Sequence, residues 1–282
     1  MNVKNTYENM FSDNAALANG ADMRIMSFNI LCEIWNDKPT ISGRDEKAVA
    51  ILMNYAPDVV GLQEISPNWH SALEPLLDNS PYKMIGKHNT VMHSKYGNIN
   101  FSPIIYDSDT VKPIDSGVIA YSVATKIYAY VMTWGLFKHI SSGKDFAVIN
   151  THFDLRREGE HNNNRTQQAK EIAAFINELK VRYDCPIIIT GDYNTMESED
   201  RFKIIINDAQ MHEAKYSAYV IKRACATYHT LGSSISTANA NSHDHILGSN
   251  SIKFLYYNVL VDKIVIDTSD HCPIYADVKL NQ

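Results

Sequence analysis

The side chains of this chain that could do chemistry gather where apolar runs end: Asn29, Gln63 with Glu64, His152 with Asp154, Asp192 with Asn194, Asp244 with His245, and Asp270 with His271. Each follows or interrupts a run of the kind that builds a core, which places a polar group at the rim of a sheet. Carboxylates suit hard divalent cations, and imidazoles exchange protons near neutral pH. Taken singly, an Asp-His pair or a Gly-Asp-x-Asn turn is common; the whole ordered set is not. The clearest member is the run from Ile187 to Asn194, where β-favouring residues after Pro186 lead to Gly191 and then present a carboxylate and an amide one residue apart. Such a run reads as a strand covered on both faces, and Gly191 is expected to let the chain turn at its end.

The elements that must position these groups are readable at coarse grain. Residues 24–31 read as a first strand, and residues 58–62 as a second that ends at Gln63-Glu64. Between them a helix is expected from about Ser42, with Ser42 and Asp45 as its cap, a stripe of Ala48, Ile51, Leu52 and Tyr55, and Pro57 as its stop. A helix over 68–77 follows. Four strand-like runs at 101–106, 111–120, 128–137 and 146–150 are separated by turn residues, as antiparallel hairpins would be. A long helix over 164–183 carries Ala169, Ile172, Ala173, Ile176 and Leu179 on one face, and a shorter one is expected over 198–207. Strands near 226–229, 242–247, 251–266 and 273–279 close the chain. Hairpins between helix–strand units predict an α/β sandwich of two packed sheets with helices outside. Residues 1–22 read as a polar, poorly ordered leader, and residues 23–282 as a single domain.

Bulk composition narrows the partners. With 45% hydrophobic and 21% charged residues in 282, the chain is ordinarily globular. Its formal charge of −6 and pI near 6.0 argue against a protein that grips long nucleic acid, which needs a basic field. Cys32, Cys185, Cys225 and Cys272 lack the spacing of a zinc knot. A reduced, cytoplasmic setting is the default, with disulfides and secretion after loss of a signal left open. No apolar stretch approaches the ~20 residues of a membrane helix.

In this order, SFNIL, GLQE, NTHFD, GDYN, the Asp of HDHI and the terminal SDH resemble the endonuclease/exonuclease/phosphatase superfamily, over residues 24–280. The resemblance implies a four-layered α/β sandwich and hydrolysis of phosphoric esters with Mg²⁺ or Mn²⁺. Such hydrolysis brings water onto a charged phosphoryl group, so positive charge near its oxygens contributes most. Glu64 is the expected metal ligand, and likeness to the family puts Asp270 and Asn29 near the same ion. By the same likeness Asp192 aligns or deprotonates water, and Asn194 holds the phosphate or the nucleophile. His271 donates to a phosphate oxygen or acts as acid/base, while Asp244 fixes its tautomer and raises its pKa. His152 resembles the residue that assists the leaving group; a histidine bonded to a turn carbonyl is the plainer alternative. Asp154 reads equally well as a helix-side polar residue.

Arg165 and Gln168 project onto the same helix face as Ala169, Ile172 and Ile176, and buried polar groups need partners. Arg165 is expected to reach substrate, with a bond to loop carbonyls as its alternative; for Gln168 that alternative is preferred. Asn194, Tyr106 at a strand end, and His229 before a Gly-Ser-rich loop complete the expected substrate contacts. Leu31 stands where many nucleases of the superfamily carry an acid, which argues against a second metal there, and the basic substrate-gripping motif of the inositol phosphatases is not visible. The expectation is a monomeric, metal-dependent phosphodiesterase or phosphatase acting on a small molecule, lipid headgroup or sugar. One alternative is a nuclease or deadenylase-like 3'-exonuclease, because SFNILCE and PDVVGLQE also resemble the deadenylase branch. The other is a non-catalytic binding module on the same scaffold.

Overall fold

The computed structural model describes residues 6–12, 16–33, 40–78, 80–86, 101–123, 130–155 and 160–281. The start of the strand expected over 128–137 and parts of the leader fall outside them. Along the chain run β1 (Met23–Asn29), α1 (Arg44–Tyr55), β2 (Val59–Gln63), α2 (Pro67–Leu77), β3 (Tyr82–Ile85), β4 (Ile104–Asp107), β5 (Val111–Ala120), β6 (Val131–His139) and β7 (Asp145–His152). There follow α3 (Glu160–Tyr183), β8 (Ile187–Asp192), α4 (Asp200–Asp208), β9 (Met211–Glu213), α5 (Ala214–Ser217), β10 (Val220–Ile221), β11 (Asp244–Ser249), β12 (Ile252–Val259), α6 (Lys263–Ile266) and β13 (Ile274–Leu280).

Two mixed sheets result, of seven strands in the order β10-β12-β13-β1-β2-β4-β3 and of six in the order β5-β6-β7-β8-β11-β9. Near the middle of each, two strands run parallel, β1 with β2 and β7 with β8, flanked by antiparallel β13 and β11. In β8, Ile188 packs into the cluster shared by the two sheets, while Ile187 and Ile189 face Ile172, Ile176 and Leu179 of α3. Strands covered on both faces need such continuous β-branched runs. The helices α1 and α2 cover the first sheet, and α3 and α4 the second, which gives helix, sheet, sheet, helix.

Several local readings change. The expected Ser42 cap does not form: Gly43 at φ +78 precedes α1, and the Arg44 and Asp45 amides donate to the Ile41 carbonyl. A side-chain cap appears instead at Ser66, which accepts from the Trp69 amide ahead of Pro67. The run at 101–106 does not pair with the next one. It supplies β4 to the first sheet beside β3, a short strand with no sequence signal, whereas β5 to β7 form a meander in the second. Residues 226–229 form no strand, only a bridge from Tyr228 to His271, and the run at 251–266 ends as strand at Val259 and closes with α6. Ahead of β1, Ser12 donates to Asp262, the Ala18 amide to Asp277, and Arg24 to the Ala16 carbonyl.

The sheets meet across a buried polar ladder. Gln63 Nε2 donates to Ser27 Oγ (3.1 Å) and Asn150 Oδ1 (2.7 Å), Asn150 Nδ2 donates to the Leu62 carbonyl (2.7 Å), and Thr190 Oγ1 donates to Asn150 Oδ1 (3.1 Å). This closeness requires Gly61, where a Cβ would lie 2.1 Å from Thr190 Oγ1 and 2.3 Å from Asn150 Oδ1.

Candidate active site

Register brings the reactive residues to one end. Asn29 closes β1 opposite Gln63, and Glu64 follows at φ +63; His152 closes β7 opposite Asp192; Asp244 opens β11, also opposite Asp192. Asp270 and His271 lie just before β13, which runs against β1. The outer ends of parallel pairs and the first residues of their antiparallel neighbours therefore share one rim.

Asp192 is its centre. Its Oδ1 accepts from the Asn194 amide (2.8 Å), and its Oδ2 accepts from Asn29 Nδ2 (3.0 Å). The same Oδ2 lies 3.6 Å from His152 Nε2 and 3.7 Å from His271 Nε2. Asn29 Nδ2 also donates to Glu64 Oε1 (3.1 Å), so one amide links the two sheets. Glu64 Oε2 accepts from the Cys32 amide (2.8 Å), and Asn29 Oδ1 accepts from the Leu31 amide (3.0 Å). Asn194, at φ +46, points its Nδ2 at both His152 Nε2 (3.0 Å) and the Phe153 carbonyl (3.1 Å). Behind the rim, Arg44 from α1 donates to the Ile30, Leu31 and Thr268 carbonyls and so braces the loops around Asn29 and Ser269.

His271 Nδ1 meets Asp244 Oδ2 at 2.9 Å. Burial alone would lower the His271 pKa, but Asp244 and Asp192 outweigh it and hold it well above the ordinary histidine value. Its proton is therefore held more tightly than that of an ordinary histidine. Burial likewise opposes ionisation of Asp192, and the His271 and His152 rings reverse that, bringing its pKa below the usual carboxylate value. An ionised acceptor thus faces a proton donor across the site. Ligand atoms of Asp192, Asp244 and His271 lie within 4.8 Å of one another. The Asp244–His271 hydrogen bond already accounts for that spacing. Glu64 fits a divalent cation better: each of its oxygens accepts a single hydrogen bond, which leaves lone pairs for an ion. The loop that carries Asp270 is tied to the end of β1, since Ser269 Oγ donates to the Asn29 carbonyl (2.7 Å).

Of the expected substrate contacts, only Asn194 stands in this cluster. Tyr106 is at the wrong end: β4 runs antiparallel to β2, so Tyr106 pairs with Val59 at the start of β2 and packs its ring 5.5 Å from Phe137. Arg165 is buried and donates to the Asp154 carbonyl (2.9 Å), while Gln168 Oε1 accepts from the Asp154 amide (2.9 Å); both hold the loop after His152. Asp154 is itself buried between Tyr130 and Asn164. His229 is beside the site, its amide donating to the Asp270 carbonyl (2.8 Å), but its ring turns inward toward the Thr230 carbonyl, and burial lowers its pKa. The exposed neighbour is Tyr228, whose ring lies 5.2 Å from that of His271. Gly191 does not make the turn; it is needed inside β8, where a Cβ would lie 2.5 Å from the Thr151 carbonyl oxygen, and the turn falls at Asn194. Cys32 and Cys272 are buried beside Asn29 and His271, and no disulfide joins cysteines among the described residues. Among the described residues no helix is long and apolar enough to cross a membrane.

Comparison with known proteins agrees with this geometry. A family model described as endonuclease/exonuclease/phosphatase family matches residues 26–271. An endonuclease/exonuclease/phosphatase protein from Bacteroides vulgatus superposes with a TM-score of 0.76 at 24% identity, covering 92% of this chain and 99% of that one. A mannosyl-6-phosphatase from Bacteroides thetaiotaomicron gives 0.73 at 18% identity, covering 92% and 100%. The human nocturnin catalytic domain, with a bound sulfate, gives 0.66 at 18% identity, covering 92% and 94%. At these identities the structures share a fold with this chain. Among curated proteins no sequence matches. Since the matched span runs from SFNIL to SDH and the neighbours share the two-sheet sandwich, the chain belongs to the endonuclease/exonuclease/phosphatase family.

Proposed function

We propose that this protein is a divalent-cation-dependent phosphoesterase acting on a phosphomonoester or phosphodiester of a small molecule, sugar or lipid headgroup, with residues 23–282 as its catalytic unit. The observation that carries the reading is the shared Asp192 carboxylate, fixed by Asn29 and Asn194 and lying 3.6–3.7 Å from two imidazoles, one of them paired with Asp244. Ionised Asp192 orients a water and accepts its proton. His271 donates to a phosphoryl oxygen as charge grows there, and Asp244 keeps that proton on the ring. Asn194 holds His152 in register to assist the departing oxygen. Glu64 and Asp270, with Asn29 beside them, would hold Mg²⁺ or Mn²⁺, which supplies positive charge to the phosphoryl oxygens.

The acidic balance of the chain favours a small substrate over a nucleic acid polymer. Tyr228, half exposed next to His271, offers a ring against which a sugar or base can pack. A sugar phosphate is the substrate class named for one of the structural neighbours. The test is hydrolysis of bis-p-nitrophenyl phosphate and of a panel of sugar phosphates and other phosphomonoesters, with Mg²⁺ or Mn²⁺ and after chelation. Metal-dependent turnover of at least one class is expected, and inertness toward all of them overturns the proposal. Faster cleavage of poly(A) or nicking of plasmid would move the assignment to the deadenylase or nuclease reading.

A further inference from the structure

Behind the catalytic rim lies a second buried cluster that takes no part in the chemistry above. His245 follows Asp244 in β11, and alternate residues of a strand face opposite sides. Asp244 therefore reaches His271, while His245 turns to the helix side of the sheet. There it is wholly buried, its ring 4.5 Å from that of Phe202 and 5.3 Å from that of Tyr193. Its Nδ1 is 2.7 Å from Glu213 Oε1 and its Nε2 is 2.9 Å from the Thr195 carbonyl oxygen. Both neighbours are acceptors, so both nitrogens carry protons and the ring is a cation. Beside it, Lys215 Nζ pairs with Glu197 Oε1 (2.5 Å) and donates to the Ala240 carbonyl (2.5 Å) and Ser242 Oγ (2.9 Å). Glu197 Oε2 accepts from the Ser242 amide (3.0 Å). Ligand atoms of Glu197, Glu213 and His245 lie within 4.8 Å of one another, but two cations already balance the two carboxylates. The cluster reads as an ion-paired network, with Glu213 Oε2 left without a hydrogen bond among the described residues, and not as an ion site.

The network ties together three stretches of chain: 195–197, directly after Asn194; 213–215; and 240–245, which contains Asp244. An apolar core of similar volume would hold these stretches at least as firmly, because buried charges cost solvation that their pairing only partly returns. Asn194, meanwhile, turns the chain at a positive φ, which asparagine tolerates, so the direction of the turn is set by what holds the residues on either side. We infer that His245 is a positioning residue of the active site: by gripping the Thr195 carbonyl while extending the strand from Asp244, it sets the Asp192–Asn194 turn against the Asp244–His271 pair. The kinetic part of this inference rests on the phosphoesterase reading; the geometric part does not.

His245→Phe keeps the ring stack and removes both hydrogen bonds, whereas His245→Gln keeps a donor that reaches the Thr195 carbonyl. Two readouts separate positioning from folding: the ¹⁵N resonances of the His271 and His152 rings in the resting protein, and kcat against KM for the substrate hydrolysed fastest. His245→Phe is expected to move both rings' resonances and to lower kcat by about 10- to 100-fold with KM within about threefold, the scale of a misplacement near 1 Å. His245→Gln should restore most of kcat. Unmoved resonances with unchanged kcat in His245→Phe overturn the inference, as do equal losses in both variants that simply track Tm. Should His245→Phe not fold, Glu213→Gln, which keeps shape and removes the charge, decides: shifted resonances with a lower kcat support it, and wild-type values sink it. If the wild-type protein hydrolyses nothing, the phosphoesterase reading fails and the resonances alone judge this one.

Discussion

At Asp192 a single carboxylate oxygen is approached by Asn29, His152 and His271 while the other is held by the chain itself at Asn194. Removing one partner changes the charge that the rest experience, so substitutions here should cost far more activity than stability. Glu64→Gln and His271→Ala are each expected to lower kcat by about 10²- to 10⁴-fold. Circular dichroism should stay near wild type, as should the Tm of Glu64→Gln in chelated protein, and wild-type rates in both variants would remove the assigned roles. Tyr228→Ala should instead raise KM several-fold with kcat nearly unchanged, because a ring packed on the substrate outside the reacting atoms contributes uniform binding. A fall in kcat alone would argue that Tyr228 acts through His271. The residues of the rim were readable from the chain because each ends an apolar run, a property of order along the sequence. Tyr106, Arg165 and His229 were misread because their roles depend on direction. Tyr106 was misplaced by an antiparallel partner, Arg165 by a loop carbonyl within its reach, and His229 by the contact of its ring with the Thr230 carbonyl. No local pattern carries these. Nor did the sequence mark Arg44, whose partner lies 224 residues away, or show that His245 turns behind the rim to a partner 50 residues away.

Strands and helices whose apolar period is long were equally readable. β8 and α3 fall where their runs of Ile and the stripe from Ala169 to Leu179 put them. Short elements escaped: β3 has four residues and is buried only at Tyr82, and α6 is a single turn. The assignment of β4 and β5 to different sheets also escaped, because strand pairing is decided by long-range contacts. Where the sheets press together, one atom's worth of volume matters. Gly61→Ala would drive a methyl group into Thr190 and Asn150, at 2.1 and 2.3 Å, within the ladder that joins the sheets below Asn29. Overpacking of this kind costs about 1–3 kcal/mol, and displacing the Asn150 side chain adds to it. Urea unfolding should show the midpoint falling by a corresponding amount with an unchanged slope. A midpoint within error of wild type would mean that the sheets move apart freely, and the rim they hold in register would then not depend on their spacing.

Seen whole, the molecule concentrates acid at one end. The chain carries a formal charge of −6, and Glu64, Asp192, Asp244 and Asp270 gather toward the rim, with the imidazoles and the braced Arg44 beside them among the described residues. Like charges held close in a poorly solvated place repel, and the native state bears that repulsion while the unfolded chain, with the same groups dispersed in water, does not. A divalent cation held at Glu64 and Asp270, as proposed, would relieve it and would bind the folded form alone. Saturation to a hundred times Kd then stabilises by about 2.7 kcal/mol. For a domain of this size that corresponds to a rise in Tm of roughly 5–10 °C. The comparison is chelated protein against the same protein in MgCl₂, with NaCl at equal ionic strength as control, because screening alone acts on exposed charges through the Debye length and does not distinguish the two salts. Glu64→Gln should lose most of the magnesium-specific shift and keep the response to NaCl. Equal shifts in both salts, or a magnesium shift of full size in Glu64→Gln, would mean that no ion site is centred on Glu64.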